Sequence, residues 1–250
     1  MKTIATLICG LMVLVMGILP VHAQERSAKS VIDDAIKAMG GKAKLSKYKA
    51  ISFTDKGTFY GLGNPIEYTG KWKVQPPVQI RFDMEMTFMD MKITILEVVN
   101  KNKGFKKIND NLAKLSDEEV KEKRQQLWVD YVSMLVPVVS EPGFNLSRIG
   151  DVKIKEKPAE GILISKKGQR DVQFFFDKKT HWMVKAEYEV NDPMMGGKQT
   201  QTVFYGNYKK FNGILQPTSL TILRDGKRFV VTELSNIQFL ESFEDKAFEE

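Results

Sequence analysis

The alternation of apolar and polar side chains within residues 68–107 constrains the fold of this chain more than any other feature. Between residues 80 and 88 the side-chain type changes at every position. The apolar members are Ile80, Phe82, Met84, Met86 and Phe88, and the polar members are Arg81, Asp83, Glu85 and Thr87. Successive side chains of a β-strand point to opposite faces, so this pattern predicts a long strand with one apolar face.

The pattern moves by one residue after Asp90, because Met91, Ile93 and Ile95 are then the apolar positions. Such a shift needs a tight turn or a bulge, which we predict at Met89 and Asp90. The apolar face is rich in methionine, whose flexible side chain adapts to irregular partners. It therefore suits either the wall of a ligand cavity or an ordinary sheet core.

Residues 1–23 have the pattern of a secretory signal peptide. Lys2 is followed by an apolar run over residues 7–19, and Val21 and Ala23 fit the two recognition positions before a cleavage site. We expect cleavage after Ala23 and a single domain over residues 24–250. The only cysteine, Cys9, lies inside this leader, so we expect neither a disulfide nor a lipid anchor in the mature chain. No later stretch is apolar for long enough to span a membrane.

Two segments change to helical spacing. Ser30 is the predicted N-cap of a short helix that ends at a pair of glycines. Ser116 and Glu119 form a capping box at the start of a longer helix over residues 117–135, and Pro137 stops it. The apolar side of this helix, which we expect to pack against the sheet, carries Val120, Leu127, Trp128 and Tyr131.

The remaining segments have strand patterns separated by turn residues. The predicted strands cover residues 50–60, 66–74, 78–89, 91–99, 105–108, 149–156, 161–165, 170–177, 182–190, 199–205, 215–223 and 228–239. Consecutive strands joined by short turns form an antiparallel meander, and one this long must curl or close. We therefore predict a mainly β (α+β) fold, in which a single strongly curved antiparallel sheet forms an open half-barrel wrapped around and capped by helices.

The residue combinations that mark an enzyme are missing from the sequence. The expected mature chain has a single histidine, His181, in a predicted turn. It has no Cys/His pair, no HExxH zinc motif and no Gly-x-Ser-x-Gly nucleophile turn. We therefore expect no enzymatic activity, no metal and no other cofactor.

The chain is basic, with a formal net charge of +7. This excess charge either favours anionic lipid headgroups and other acidic partners or serves solubility alone. The basic residues form no clustered helix or nucleic-acid motif, so we expect no nucleic-acid partner.

Several segments together resemble the outer-membrane lipoprotein-sorting family of LolA/LolB-like periplasmic carriers. They are Gly40-Gly41 after the first helix, Gly70-Lys71-Trp72 with Pro76-Pro77 and residues 81–84, residues 176–180 with 183–185, residues 205–208 with 212–217, and residues 234–236 with Phe243 and Phe248. The resemblance spans nearly all of the expected mature chain. The chain departs from it at Gln75, where the carriers tend to have an arginine that helps to hold the lid. This departure leaves open whether the chain is a dedicated lipoprotein shuttle or a general lipid binder.

The resemblance implies a periplasmic protein with a helical lid over an apolar cavity that takes acyl chains. We expect ten residues to line that cavity: Ile80, Phe82, Met84, Met86, Phe88, Trp128, Tyr131, Trp182, Val184 and Tyr188. For Trp182 and Tyr188 an ordinary core position is the alternative. Met194 and Met195 lie in a predicted loop that could form the opening of the cavity or touch a membrane.

Three functions agree with this pattern. The first is a monomeric carrier of lipid or lipoprotein acyl chains that makes transient contact with the membrane surface or with envelope proteins. The second is a lipid- or stress-sensing regulatory module that acts through a protein partner. The third is a structural protein of the envelope.

Overall fold

A computed structural model of the chain describes residues 26–192 and 197–250. The predicted signal peptide with Cys9, and the loop with Met194 and Met195, lie outside the described residues. The helices are α1 (Ala28–Ala38), α2 (Lys42–Lys47), α3 (Asp117–Ser133) and α4 (Val136–Ser140), and a 3-10 turn covers Asp245–Phe248. The strands are β1 (Ala50–Phe59), β2 (Ile66–Gln75), β3 (Gln79–Phe88), β4 (Met91–Asn100), β5 (Lys103–Ile108), β6 (Asn111–Lys114), β7 (Phe144–Ile154), β8 (Lys157–Lys166), β9 (Val172–Asp177), β10 (Met183–Asp192), β11 (Gly197–Gly206), β12 (Lys209–Phe211), β13 (Ile214–Gln216), β14 (Ser219–Arg224) and β15 (Lys227–Leu240).

One antiparallel sheet dominates the part of the chain that the structure describes. Its thirteen strands run in the order β6-β5-β4-β3-β2-β1-β15-β14-β11-β10-β9-β8-β7. We call β1–β6 the N-terminal arm and the remaining strands of this sheet the C-terminal arm; they join where β1 pairs with β15. Strands β6 and β7 are the free edges, so the sheet curves without closing into a barrel. The predicted open, curved antiparallel sheet is confirmed.

The alternating segment forms the hairpin that its pattern predicts. Met89 and Asp90 connect β3 to β4, and both have positive φ angles, of 49° and 61°. Two consecutive left-handed residues give a tight turn whose twist suits the flanking strands. The turn brings Met86 opposite Ile93 and Met84 opposite Ile95, so both apolar patterns lie on the same face of the sheet.

Helices α3 and α4 connect the two free edges of the sheet and therefore cross its open side. The predicted capping box starts α3: the Glu119 amide donates to Ser116 Oγ at 3.3 Å, and the Ser116 amide donates to the Glu119 carboxylate at 2.7 Å. The helix ends earlier than predicted because Leu135 has a φ of 61°. Pro137 then lies in the first turn of α4, where the helix needs no amide donor from that residue.

Other boundaries also differ from the sequence prediction. The N-cap of α1 is Ser27 instead of Ser30, and Ser27 Oγ accepts a hydrogen bond from the Ser30 amide at 3.1 Å. The predicted strand over residues 215–223 is divided at Pro217, which separates the short β12–β13 hairpin from β14. Proline has no amide hydrogen for a strand ladder, and this explains the interruption.

The hydrophobic core lies between the helices and the C-terminal arm. Its largest fully buried side chains include Ile32, Leu135, Ile162, Ile164, Phe174 and Phe176. No helix within residues 26–192 or 197–250 is long and apolar enough to cross a membrane. The interior between α3 and the N-terminal arm is not filled by this core, and that space is the candidate site.

Candidate functional site: an apolar cavity

A cavity of about 680 Å³ lies between α3 and the concave face of the sheet. Its wall comes mainly from β1–β4, β14 and β15, with α3 on the opposite side. The apolar lining includes Phe53, Phe59, Trp72, Phe82, Met84, Met86, Ile95, Met134, Leu220, Ile222, Phe229 and Phe239. A largely apolar cavity of several hundred cubic ångströms has the size of a site for a small lipophilic molecule.

The cavity extends along the full length of β1, since Ala50 and Phe59, at the two ends of that strand, both line it. A strand rises about 3.3 Å per residue, so the nine steps between these residues span roughly 30 Å. The hydrocarbon core of a bilayer is about 30 Å thick, or ~15 Å for each leaflet. The cavity is therefore long enough for an extended acyl chain.

Four of the ten predicted site residues line this cavity: Phe82, Met84, Met86 and Tyr188. Each is half-buried, because its inner surface faces the open volume instead of other side chains. The Phe82 ring stacks on Trp72 at a centroid distance of 4.7 Å, and Trp72 stacks on Phe53 at 5.8 Å. These three rings form a continuous aromatic strip across β3, β2 and β1.

Ile80 and Phe88 share the apolar face of β3 but do not line the cavity. Ile80 lies opposite Val99, which is fully buried. Phe88 lies opposite Met91, which is 61% exposed at the tip of the hairpin. The cavity therefore uses the middle of β3 and leaves out both ends of its apolar face.

Trp128 and Tyr131 lie on the side of α3 that faces away from the cavity. The Trp128 ring is buried and stacks on Phe144 at 5.5 Å, and its indole nitrogen donates to the Arg170 carbonyl at 3.0 Å. The Tyr131 hydroxyl donates to the Glu141 carboxylate. The predicted apolar side of the helix thus packs against β7 and the β8–β9 loop, and the opposite side faces the cavity.

Trp182 and Val184 are separated from Tyr188 by a β-bulge. Met183 pairs with Phe176 and Lys185 pairs with Phe175, so the strand has one additional residue at Val184. A bulge reverses the direction of the side chains that follow it. The alternation expected across residues 182–190 is therefore interrupted, and Trp182 instead packs its ring against Tyr208 at 4.9 Å.

A buried carboxylate, Asp55, forms a polar cluster in the cavity wall that the sequence patterns did not indicate. Asp55 is 5% exposed and accepts hydrogen bonds from Tyr68 Oη at 2.9 Å, Trp72 Nε1 at 2.8 Å and Thr232 Oγ1 at 3.1 Å. Burial, and then the Asp55 charge, raise the pKa of Tyr68. With three donors for one carboxylate, this cluster holds β1, β2 and β15 together.

An ion pair connects α3 to the N-terminal arm at the edge of the cavity. Lys123 Nζ lies 2.5 Å from Glu97 Oε1, and Glu97 is only 4% exposed. The geometry is that of a close ion pair and not of an aligned hydrogen bond, since Glu97 Oε1 has no hydrogen-bond donor. The same ammonium lies 5.4 Å from the centre of the Phe82 ring. Lys123 thus fastens the helix over the aromatic strip.

Asp130 is a third acidic side chain in the cavity lining, on the inner side of α3. Its side chain is exposed, and it borders the open volume of the cavity. Partial desolvation by the surrounding protein raises the pKa of Asp130 above its ordinary value. Sequence analysis did not select this residue, because a single acid on a charged helix is normally a solvent-facing position.

Gln75, at the position where the resembling carriers tend to have an arginine, fastens the C-terminal segment to the sheet. Its side chain donates to Gln79 Oε1 at 2.6 Å and accepts from the Phe243 amide at 2.7 Å. Gln79 in turn donates to Asp245 at 3.2 Å. This amide network lies at the end of β2, and none of its hydrogen bonds reaches α3.

Among the described residues, no group of three or more His, Cys, Asp or Glu side chains is placed to hold a metal ion. His181 lies in the turn between β9 and β10, with a φ of 59°, as a turn residue was predicted there. The residues that line the cavity are mainly apolar, with a few charged side chains among them.

No protein-family model and no curated protein sequence matches this chain. Crystal structures share its fold. A LolA superfamily protein from Nitrosomonas europaea superposes with a TM-score of 0.53 at 11% identity, covering 90% of this chain and 99% of that protein. A lipoprotein-sorting domain of the outer-membrane type from Vibrio parahaemolyticus gives 0.50 at 10% identity, covering 88% and 97%. A DUF1329 family protein from Desulfovibrio piger gives 0.50 at 12% identity, covering 90% and 98%. The fold of this chain is therefore the LolA-like open half-barrel.

Proposed function

We propose that this protein is a periplasmic carrier that binds the acyl chains of lipids or lipoproteins in the cavity between α3 and the sheet. The observation that carries the proposal is the cavity itself, which is apolar, about 680 Å³ in volume and as long as β1. Two proteins that share this fold, a LolA superfamily protein and a lipoprotein-sorting domain, agree with such a role.

Burial of the acyl chain would supply most of the affinity. Each methylene group transferred from water to an apolar environment contributes about 0.8 kcal/mol, so ten of them contribute about 8 kcal/mol before the cost of ordering the ligand. Met84 and Met86 can change rotamer to follow chains of different length or unsaturation. The cavity would therefore select for an alkyl chain in general and not for one chain length.

The rim of the sheet at one end of the cavity supports exchange of the ligand with a membrane. The hairpin tips β1–β2, β3–β4 and β5–β6 lie at the same end of the meander, because alternate turns of an antiparallel sheet share an edge. Their exposed apolar side chains are Leu62, Met89, Met91, Ile108 and Leu112. Phe59, Met86 and Phe229 line the cavity next to this end. The rim would thus contact the bilayer transiently while an acyl chain passes between membrane and cavity.

Binding of a fluorescent fatty-acid probe to Met84→Asp tests the proposal. A carboxylate on the cavity wall would admit water and penalise an alkyl chain, so we expect at least ~10-fold weaker probe binding. Thr87→Asp is the matched control, since it adds the same group to the same strand on its exposed outer face. Circular dichroism should show both variants folded. Equal probe affinity in the wild type and both variants would refute the proposed function.

A further inference from the structure

One row of side chains across the N-terminal arm is charged at one end and aromatic along the rest. Residues that lie directly opposite each other on neighbouring strands are Lys106 and Glu97, Glu97 and Phe82, Phe82 and Trp72, and Trp72 and Phe53. All five line the cavity. Neighbouring strands lie about 4.8 Å apart, so the row extends roughly 19 Å from β5 to β1. This part of the cavity wall therefore has the polarity of an amphiphile, with one charged end and a long apolar remainder.

The charged end of this row contains two lysines and one acid. Lys123 of α3 also lines the cavity here, and its Nζ is the atom that lies 2.5 Å from Glu97 Oε1. Glu97 is buried, whereas Lys106 is half-buried and the Lys123 side chain is 28% exposed. Two ammonium groups and one carboxylate give this end a net charge of +1. The excess positive charge therefore lies where the cavity meets the solvent.

Both ammonium groups keep hydrogen-bond donors for a further acceptor. Lys106 Nζ takes part in no ion pair or hydrogen bond with residues 26–192 or 197–250. Lys123 Nζ is paired with Glu97 but makes no aligned hydrogen bond to it. Glu119, one turn before Lys123 on α3, accepts hydrogen bonds from the Ser116 amide at 2.7 Å and the Ser116 hydroxyl at 2.8 Å. These hydrogen bonds, and to a lesser extent the two lysines, lower the pKa of Glu119, but neither lysine forms an ion pair with it.

The other acids that line the cavity lie away from the charged end of the row. Asp130 is seven residues beyond Lys123 on α3, or about 10 Å along the helix axis. Asp55 is on β1, four strands away from Lys106 on β5, and it already has three hydrogen-bond donors. An anion at the two lysines would therefore have Glu97 as its nearest like charge in the cavity wall.

We propose that Lys106 and Lys123 bind the anionic head of an amphiphilic ligand, a carboxylate or a phosphate, whose alkyl chain lies over the aromatic strip. The inference rests on the proposed function, since the alkyl chain occupies the cavity described above. The oxygens of the head would accept hydrogen bonds from both ammonium groups, while Glu97 holds Lys123 in position. The charged head would stay at the solvent-facing edge, and the chain would be buried. An alkyl amine would instead bring a third ammonium group beside the two lysines, which is unfavourable.

Displacement of a neutral fluorescent probe by dodecanol, dodecanoate, dodecyl phosphate and dodecylamine, all below their micelle concentrations, tests this site. The four ligands have the same alkyl chain and differ in the head. At low salt and about pH 7.5, where a carboxylate is ionised, we expect at least one of the two anions to bind ~10-fold more tightly than dodecanol. The tighter of the two identifies the head as that of a fatty acid or that of a phospholipid. Dodecylamine should bind more weakly than dodecanol, and acetate, which has the charge without the chain, should not compete.

Lys106→Met separates the head-group site from the cavity. It removes the charge and keeps a long apolar side chain, so only the neutral pair of Lys123 and Glu97 remains at this end of the row. The preference for anions over dodecanol should disappear, while dodecanol binds as in the wild type. Lys107→Met is the control, because it makes the same change at the next residue of β5, whose side chain points to the other face and does not line the cavity.

Glu97→Gln should act in the opposite direction and increase the preference for anions, because it removes the carboxylate that competes for Lys123. Lysines that served only to fasten α3 would give no such gain, so an unchanged preference in this variant would contradict the inference. If dodecanol displaces the probe but neither anion binds more tightly than dodecanol, or if Lys106→Met keeps the preference, the head-group inference is refuted and the carrier function stands. If no dodecyl ligand displaces the probe, both are refuted.

Discussion

At the scale of single residues, the site depends on a glycine at a position where a side chain would not fit. Gly70 on β2 lies directly opposite Asp55 on β1. A Cβ atom at position 70 would be 2.3 Å from Asp55 Oδ1 and 2.8 Å from Trp72 Nε1. The buried carboxylate and its indole donor can meet only because residue 70 is glycine.

We predict that Gly70→Ala lowers the free energy of unfolding by about 1–3 kcal/mol, the cost of leaving a buried polar group without its partner. Chemical denaturation measures this loss. Thr69→Ala, at the neighbouring exposed position of β2, should change stability by less than about 0.5 kcal/mol. If Gly70→Ala is as stable as the wild type, Asp55 does not hold the three strands together in the way described.

The sequence predicted the apolar residues of the site better than its polar ones. Met84 and Met86 could be placed on an inner face because the period of a strand is two. Asp55 and Glu97 could not, since a buried carboxylate is recognised by the partners that the fold brings to it. Those partners are far away in the chain: Thr232 is 177 residues from Asp55. Only the folded structure brings them together.

At the scale of the elements, α3 has two functional sides. The side that faces away from the cavity packs Trp128 against Phe144, and the opposite side presents Asp130 and Met134 to the cavity. The capping box predicted the helix. The sequence did not distinguish the side that faces the cavity from the side that packs against β7, because both sides carry large side chains. The apolar side, which we expected to pack against the sheet, stacks Trp128 on Phe144 of β7, and neither Trp128 nor Tyr131 lines the cavity.

We predict that Trp128→Ala costs about 3–5 kcal/mol of stability, as the loss of a large core side chain does. The folded fraction should still bind the fatty-acid probe with wild-type affinity, since Trp128 does not line the cavity. Tyr131→Phe is a control on the same helix that removes only a hydroxyl at its outer edge, and it should cost no more than about 1.5 kcal/mol. Weak probe binding by folded Trp128→Ala would contradict this division of α3.

Strand β10 shows why the remaining site residues were not predicted. Trp182 and Val184 were grouped with Tyr188 on the assumption of an unbroken period of two. The bulge at Val184 ends that period, and no glycine or proline in the segment indicates it. Strand β6 was missed for another reason: all four of its residues are exposed, so it has no apolar pattern.

At the scale of the whole molecule, one part of the half-barrel is filled by the hydrophobic core and the other part encloses the cavity. Helices α1, α3 and α4 fill the C-terminal arm, while the N-terminal arm and strands β14 and β15 enclose the cavity. The sequence predicted the curved open sheet from the number and spacing of its strands. It did not predict which arm the helices fill, because that depends on α3 connecting the two free edges of the sheet.

The lipid content of the protein after incubation with phospholipid vesicles tests the central claim most directly. The protein is separated from the vesicles without detergent, and its extracted lipid is quantified by mass spectrometry. We predict roughly one lipid molecule per chain for the wild type and for Thr87→Asp, as the apolar cavity between α3 and the sheet allows, and little for Met84→Asp. A wild-type protein free of lipid, or a Met84→Asp variant that carries as much lipid as the wild type, would contradict the account.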